Sequence, residues 1–192
     1  EYTLFNEGRR SVVVGHEGWL FSAEEFETHP AAEQRIAAHA ALIGWVAQEL
    51  AGRGTALLVA PVPAKARMQP EQLDSAQRQP AAIQATLYPT LLRVLSERGI
   101  AFADLATALQ HCRERAPEPP IYLRTDTHWT PQGTACAARA LTVAARQLAL
   151  PAAMGSGSYQ TVIDNPAATL EGDLMRFLPL APYFAHLLPP ED

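Results

Sequence analysis

Between Gly54 and Pro61 the chain reads Thr-Ala-Leu-Leu-Val-Ala, with no polar side chain after the threonine. A run this short and this apolar offers no face to water, so it is expected to be a strand buried on both sides. Such a strand needs covers, and its neighbours supply them. Residues 31–51 carry Ile36, Ala40, Ile43, Val46, Ala47 and Leu50 at helical spacing, and Gly52 and Gly54 end that helix. Pro80 to Arg98 reads as a second helix with Ile83, Leu87, Leu91, Leu92 and Leu95 inward, stopped by Gly99.

The pattern then repeats. Ile100 to Leu105 is a strand candidate, and a short helix follows to about Arg115. A proline-rich break at 117–120 precedes a third strand candidate, Ile121 to Arg124. Pro131 opens a helix to Leu150, which Pro151 and the Gly-Ser-Gly-Ser stretch at 155–158 terminate. Alternation of this kind predicts an α/β domain with a mainly parallel sheet. Ligands of such sheets sit at the carboxyl ends of the strands, where the loops at 61–70 and 125–131 both fall. Near the start, Ser11 to Phe21 places a Gly-x-x-Gly turn between a β-branched run and an aromatic-aliphatic one, the signature of a hairpin. The 192 residues fit a single domain, 1–192, with an irregular segment over 152–192.

The net charge of -5 leaves no basic field for nucleic acid, so no nucleic-acid partner is expected. No apolar run is long enough to span a bilayer, and no signal peptide is present. The chain opens at Glu1 without Met, as an expressed or processed segment would, so the missing leader says little about location. Cys112 and Cys136 are read first as two buried small hydrophobes, with one disulfide as the alternative in an oxidising compartment.

Chemistry concentrates in Tyr-Leu-Arg-Thr-Asp-Thr-His-Trp-Thr-Pro-Gln-Gly at 122–133. In an extended turn, residues two apart project to one side, so Asp126 and His128 can share a cleft. A carboxylate on Nδ1 fixes the imidazole tautomer and leaves Nε2 to take a proton from a hydroxyl. The helix opening at Pro131 adds amide donors beside them. The bland reading is a helix cap, with Thr127 or Thr130 before Pro131 and Trp129 in the core. A metal centre is not expected, because no third histidine or carboxylate sits at a supporting spacing. His16, His29, His39, His111 and His186 are scattered and read as surface or satisfied histidines. Lys65 and Arg67 follow the apolar run and either face an anionic or polyhydroxyl ligand or stay solvated. Ser156 and Ser158 lie in a linker, which lacks the rigid elbow a nucleophile needs.

Four segments in order resemble the AlgJ/AlgX type of polysaccharide O-acetyltransferase. They are Val14 to Phe21, with its Gly-x-x-Gly-Trp-Leu-Phe; Leu57 to Lys65; Thr125 to Trp129, with its Asp-x-His; and Gly172 to Leu180. The likeness runs from Val12 to Leu188. It implies an SGNH-hydrolase-like three-layer α/β fold, a periplasmic location and acetylation of an exopolysaccharide such as alginate or cellulose. It further implies that Asp126 orients His128, that His128 activates a serine, and that Lys65, Arg67 and Trp129 line the substrate cleft. No cofactor is implied, and the acetyl donor would come through a membrane-bound acyltransferase.

The resemblance also implies a serine after the Gly-Asp-Leu segment, yet no serine occurs after Ser158. The domain is therefore expected to be incomplete at its C-terminus. Two other functions compete with the acetyltransferase: a catalytically incomplete polysaccharide-binding or assembly module, and an SGNH-type acetyl esterase that transfers the acyl group to water.

Overall fold

A computed structural model describes residues 11–148, 157, 158, 160, 162 and 170–178. The hairpin forms as expected: β1 (Val12–Val14) pairs antiparallel with β2 (Leu20–Ser22), Val13 opposite Phe21. The turn needs left-handed backbone, with Glu17 at φ 53° and Gly18 at φ 79°. Strand alternation divides the hairpin between two cores. Val12, Val14 and Leu20 pack with Leu174, Met175 and Leu178, while Val13 and Phe21 face the main core.

Among the described residues six α-helices follow: α1 (Ala32–Ala51), α2 (Lys65–Met68), α3 (Ser75–Ala85), α4 (Leu87–Glu97), α5 (Leu105–Arg115) and α6 (Pro131–Gln147). The single helix expected over 80–98 is instead the pair α3 and α4. It starts earlier because Asp74 caps Ala76 and Gln77 while the Gln77 side chain returns a bond to the Asp74 amide. It breaks at Thr86 because Pro89, lacking an N–H, cannot bond the Ala85 carbonyl four residues back. The Arg67 guanidinium takes that carbonyl instead and lies over the Tyr88 ring, 5.2 Å from its centroid.

The mainly parallel sheet does not form among the described residues; the regular sheet there is the two-stranded antiparallel hairpin. The runs at 55–60 and 100–105 meet at one parallel bridge, Val59 with Phe102. The Val59 amide donates to Ala101, and the Ala103 amide to Val59, each at 2.9 Å. Pro61 and Pro63 follow immediately and have no N–H to extend the ladder. Nor is the first run sealed: Leu57, Leu58 and Val59 are only half-buried. The third candidate, 121–124, folds back on its own loop through an antiparallel bridge from Tyr122 to Trp129.

The main core gathers Phe21, Met68, Leu73, Leu105, Leu109 and Ile121 under the helices. A third apolar cluster, Ala40, Leu95 and Ile100, joins α1 to α4. Cys112 on α5 and Cys136 on α6 are disulfide-bonded, Cα to Cα 6.4 Å, so the reading of two separate small hydrophobes gives way to its alternative. Most of the irregular segment expected over 152–192 lies outside the described residues. Among the described residues, no helix is long and apolar enough to cross a membrane.

Candidate active site

The loop between residue 124 and α6 is held from both sides. At its far end Thr130 caps α6, accepting from the Gly133 amide at 3.2 Å and donating to Pro120 at 2.6 Å. Gly133 permits this approach, since a Cβ there would collide with the Ile121 carbonyl oxygen. At its near end the buried Lys65 ammonium donates to the carbonyls of Leu20 at 2.6 Å, Arg124 at 2.8 Å and Asp126 at 3.0 Å. The rings of Trp19 and Phe21 flank that ammonium, with centroids 5.0 and 5.2 Å away.

Within this frame Asp126 and His128 meet as the spacing predicted. His128 Nδ1 donates to Asp126 Oδ1 at 2.6 Å, and the His128 amide donates to the same oxygen at 2.8 Å. The Asp126 side chain is 7% exposed and that of His128 is 78% exposed, so a buried carboxylate steadies an imidazole that stands in solvent. Nε2 has no hydrogen-bond partner among the described residues. Burial pushes the Asp126 carboxyl up, but the amides of Asp173 and His128 and the imidazole outweigh it and hold the group below its ordinary value. The hydrogen bond to Asp126, then that carboxylate's charge, raises the imidazole above its ordinary value, and Asp173 adds to the effect.

Asp173 is the member of the site that sequence spacing missed. Its amide donates to Asp126 Oδ2 at 2.8 Å across 47 residues of chain. Its carboxylate accepts from the Thr127 amide at 2.9 Å and from the Thr127 hydroxyl at 2.6 Å. Gly172 allows the segment to lie this close, because a Cβ there would collide with the Thr125 carbonyl oxygen. The available signal was the Gly-Asp pair itself. Ligand atoms of Asp126, His128 and Asp173 lie within 4.8 Å of one another, so a third potential ligand, a second carboxylate, does stand where spacing showed none. The Asp126 oxygens accept three N–H donors, and those of Asp173 accept the amide and the hydroxyl of Thr127.

The other expected cleft residues are largely committed to the protein's own framework. Lys65 borders a cleft beside Thr127, but its ammonium turns inward to three carbonyls and the residue is only 2% exposed. Arg67 is spent on the break between α3 and α4, beside a cavity of about 690 Å³ that neither Asp126 nor His128 lines. Trp129 is half-buried, edge-on to Tyr122 with centroids 6.3 Å apart, and packs against the main core. Two clefts do adjoin the dyad's loop at Thr127. One, of about 350 Å³, is lined by Ser22, Glu24, Asp173 and Arg176; the other, of about 450 Å³, by Ser22, Glu25, Pro63, Lys65 and Tyr122.

Residues 12–192 match the family model described as the SGNH hydrolase-like domain of acetyltransferase AlgX. The probable alginate O-acetylase AlgJ of Azotobacter vinelandii is 41% identical over 193 residues, covering 100% of this chain and 48% of that protein. The AlgJ of Pseudomonas aeruginosa is 39% identical over 189 residues, 98% of this chain and 46% of the relative. This chain thus spans about half the length of the curated relatives it matches. Among solved structures, the O-acetyltransferase domain of Pseudomonas putida AlgJ superposes with a TM-score of 0.77 at 37% identity, over 95% of this chain and 63% of that one. Pseudomonas aeruginosa AlgX, at 21% identity and a TM-score of 0.52 over 71% of this chain and 32% of its own, shares the fold. The buried carboxylate, the exposed imidazole and the loop that joins them therefore sit in an SGNH-hydrolase-like fold, and the chain belongs to the AlgX-type SGNH acetyltransferase family.

Proposed function

We propose that this chain supplies the acid–base half of an exopolysaccharide O-acetyltransferase, with Asp126 orienting His128 and His128 moving the protons. The observation that carries this reading is the 2.6 Å bond from a buried carboxylate to an imidazole whose other nitrogen is open to solvent. The names of the relatives point to alginate as one acceptor. The nucleophile would be a serine on the part of the protein that these residues do not span. Nε2 of His128 takes the serine proton as Oγ attacks the acetyl carbonyl of the donor. The tetrahedral adduct then collapses, and the imidazolium gives its proton to the departing group. A sugar hydroxyl next attacks the acyl-serine, losing its proton to Nε2. Collapse of the second adduct returns that proton to serine and releases the acetylated sugar. Passing the acetyl group to sugar rather than water requires a hydroxyl held in the attacking position.

A periplasmic location fits the Cys112–Cys136 disulfide, since such bonds persist in oxidising compartments. There the acetyl group would arrive through a membrane-bound acyltransferase. The test is acetyl transfer by the full-length protein from a small acetyl ester to an oligosaccharide. His128→Ala and Asp126→Ala should each lose on the order of a thousandfold or more in kcat. Undiminished turnover in both variants would discard the reading. Acetate formed with no acetylated sugar would reassign the protein as an esterase.

A further inference from the structure

We propose that Asp173 is a positioning residue for His128, locking the Asp126–Thr127–His128 loop by gripping Thr127 and bracing the far oxygen of Asp126. The proposal rests on the acid–base reading of that loop. The contacts are reciprocal. The main chain of 173 donates to the carboxylate of 126, while the main chain and hydroxyl of 127 donate to the carboxylate of 173. Asp126 thereby has one oxygen committed to His128 and the other to Asp173, so its carboxylate cannot rotate without breaking three bonds.

The brace is itself anchored. The Leu174 amide donates to the Thr125 carbonyl at 3.2 Å, and Leu174, Met175 and Leu178 are buried against β1 and β2. A second carboxylate oxygen, Asp173 Oδ2, stands 4.0 Å from His128 Nδ1. The carboxylates of Asp126 and Asp173 are the charged groups facing the ring among the described residues. Asp173 thus acts through both the loop and the charge, whereas a purely structural contact would act through neither the ring's tautomer nor its titration.

Two variants separate these effects. Asp173→Asn keeps a side chain of the same shape that can still bond Thr127, and removes the charge. Asp173→Ala removes both. Histidine NMR of the full-length protein, with His128→Gln assigning the resonance, reads the tautomer and titration of the ring. In Asp173→Asn the titration midpoint should move to lower pH, with kcat falling about tenfold and KM little changed. In Asp173→Ala the fixed tautomer should be lost and kcat should fall on the order of a hundredfold, as for a misplaced reacting group. Wild-type titration and kcat in Asp173→Asn, with Asp126→Asn inactive, would overturn the proposal and leave the acid–base reading standing. Full activity in Asp126→Asn and His128→Gln would instead remove the acid–base reading, and the NMR titration would still decide whether Asp173 acts on the ring. Should Asp173→Ala fail to fold, the titration midpoint and kcat of Asp173→Asn decide the matter by themselves.

Discussion

Lys65 Nζ lies 3.0 Å from the backbone carbonyl oxygen of Asp126, so a buried cation holds the main chain of the residue whose carboxylate holds the imidazole. A lysine at 2% exposure is costly to bury unless its donors are used, and here they reach three carbonyls from β2 and from the 124–126 loop. The site is therefore organised from beneath by a buried charge.

Replacing Lys65 with Met should cost stability rather than sugar affinity. The hydrocarbon stem is kept, but three buried carbonyls lose a charged donor, a loss of about 3 to 5 kcal/mol. Arg67→Ala removes a single carbonyl bond and a ring contact and should cost about 1 kcal/mol. Urea unfolding of the two variants checks the order. A Lys65→Met protein as stable as wild type would contradict the buried-keystone role.

The pH dependence of turnover should show an acid limb above the ordinary histidine range. His128 works as a base only when neutral, and its bond to Asp126 raises its pKa, so activity rises as pH climbs through that raised value. Asp126→Asn removes both the bond's charge and the attraction, so the limb should move to lower pH while kcat falls roughly a thousandfold or more. For stability the signs follow from the same shifts. The raised His128 contributes most below its unfolded pKa and loses that contribution as pH rises through the folded value. The lowered Asp126 contributes above its unfolded pKa and loses its share as pH falls through the folded value. Rate profiles and thermal melts across pH 4 to 9, roughly spanning both ordinary pKa values, measure the two effects.

Reducing the Cys112–Cys136 bond should loosen α5 from α6. The cysteines are 24 residues apart, and releasing a loop of that size costs about 3 kcal/mol through the entropy of the unfolded chain. The double Cys→Ala variant should therefore melt lower than wild type. In wild type, addition of a reductant should lower the midpoint, while the double variant should not respond.

The local parts of this protein were legible in its sequence because each depends on near neighbours. A β-branched run, a Gly-x-x-Gly turn and an aromatic run suffice for the hairpin of Val12–Val14 and Leu20–Ser22. Asp126 and His128 meet because a turn puts alternate residues on one side. The break at Thr86 was legible in principle, since Pro89 forbids the bond to Ala85, yet helical periodicity on both sides concealed it. What tertiary structure alone decided involves partners distant in the chain. The apolar run before Pro61 looked like a fully buried strand, but burial depends on what covers it, and one bridge at Val59 is its sheet pairing among the described residues. Lys65 read as a ligand-facing or solvated charge because spacing carries no record of the carbonyls 45, 59 and 61 residues away that claim it. Asp173 reaches Asp126 only because Leu174, Met175 and Leu178 are drawn onto the hairpin, bringing together two segments that chain connectivity leaves far apart.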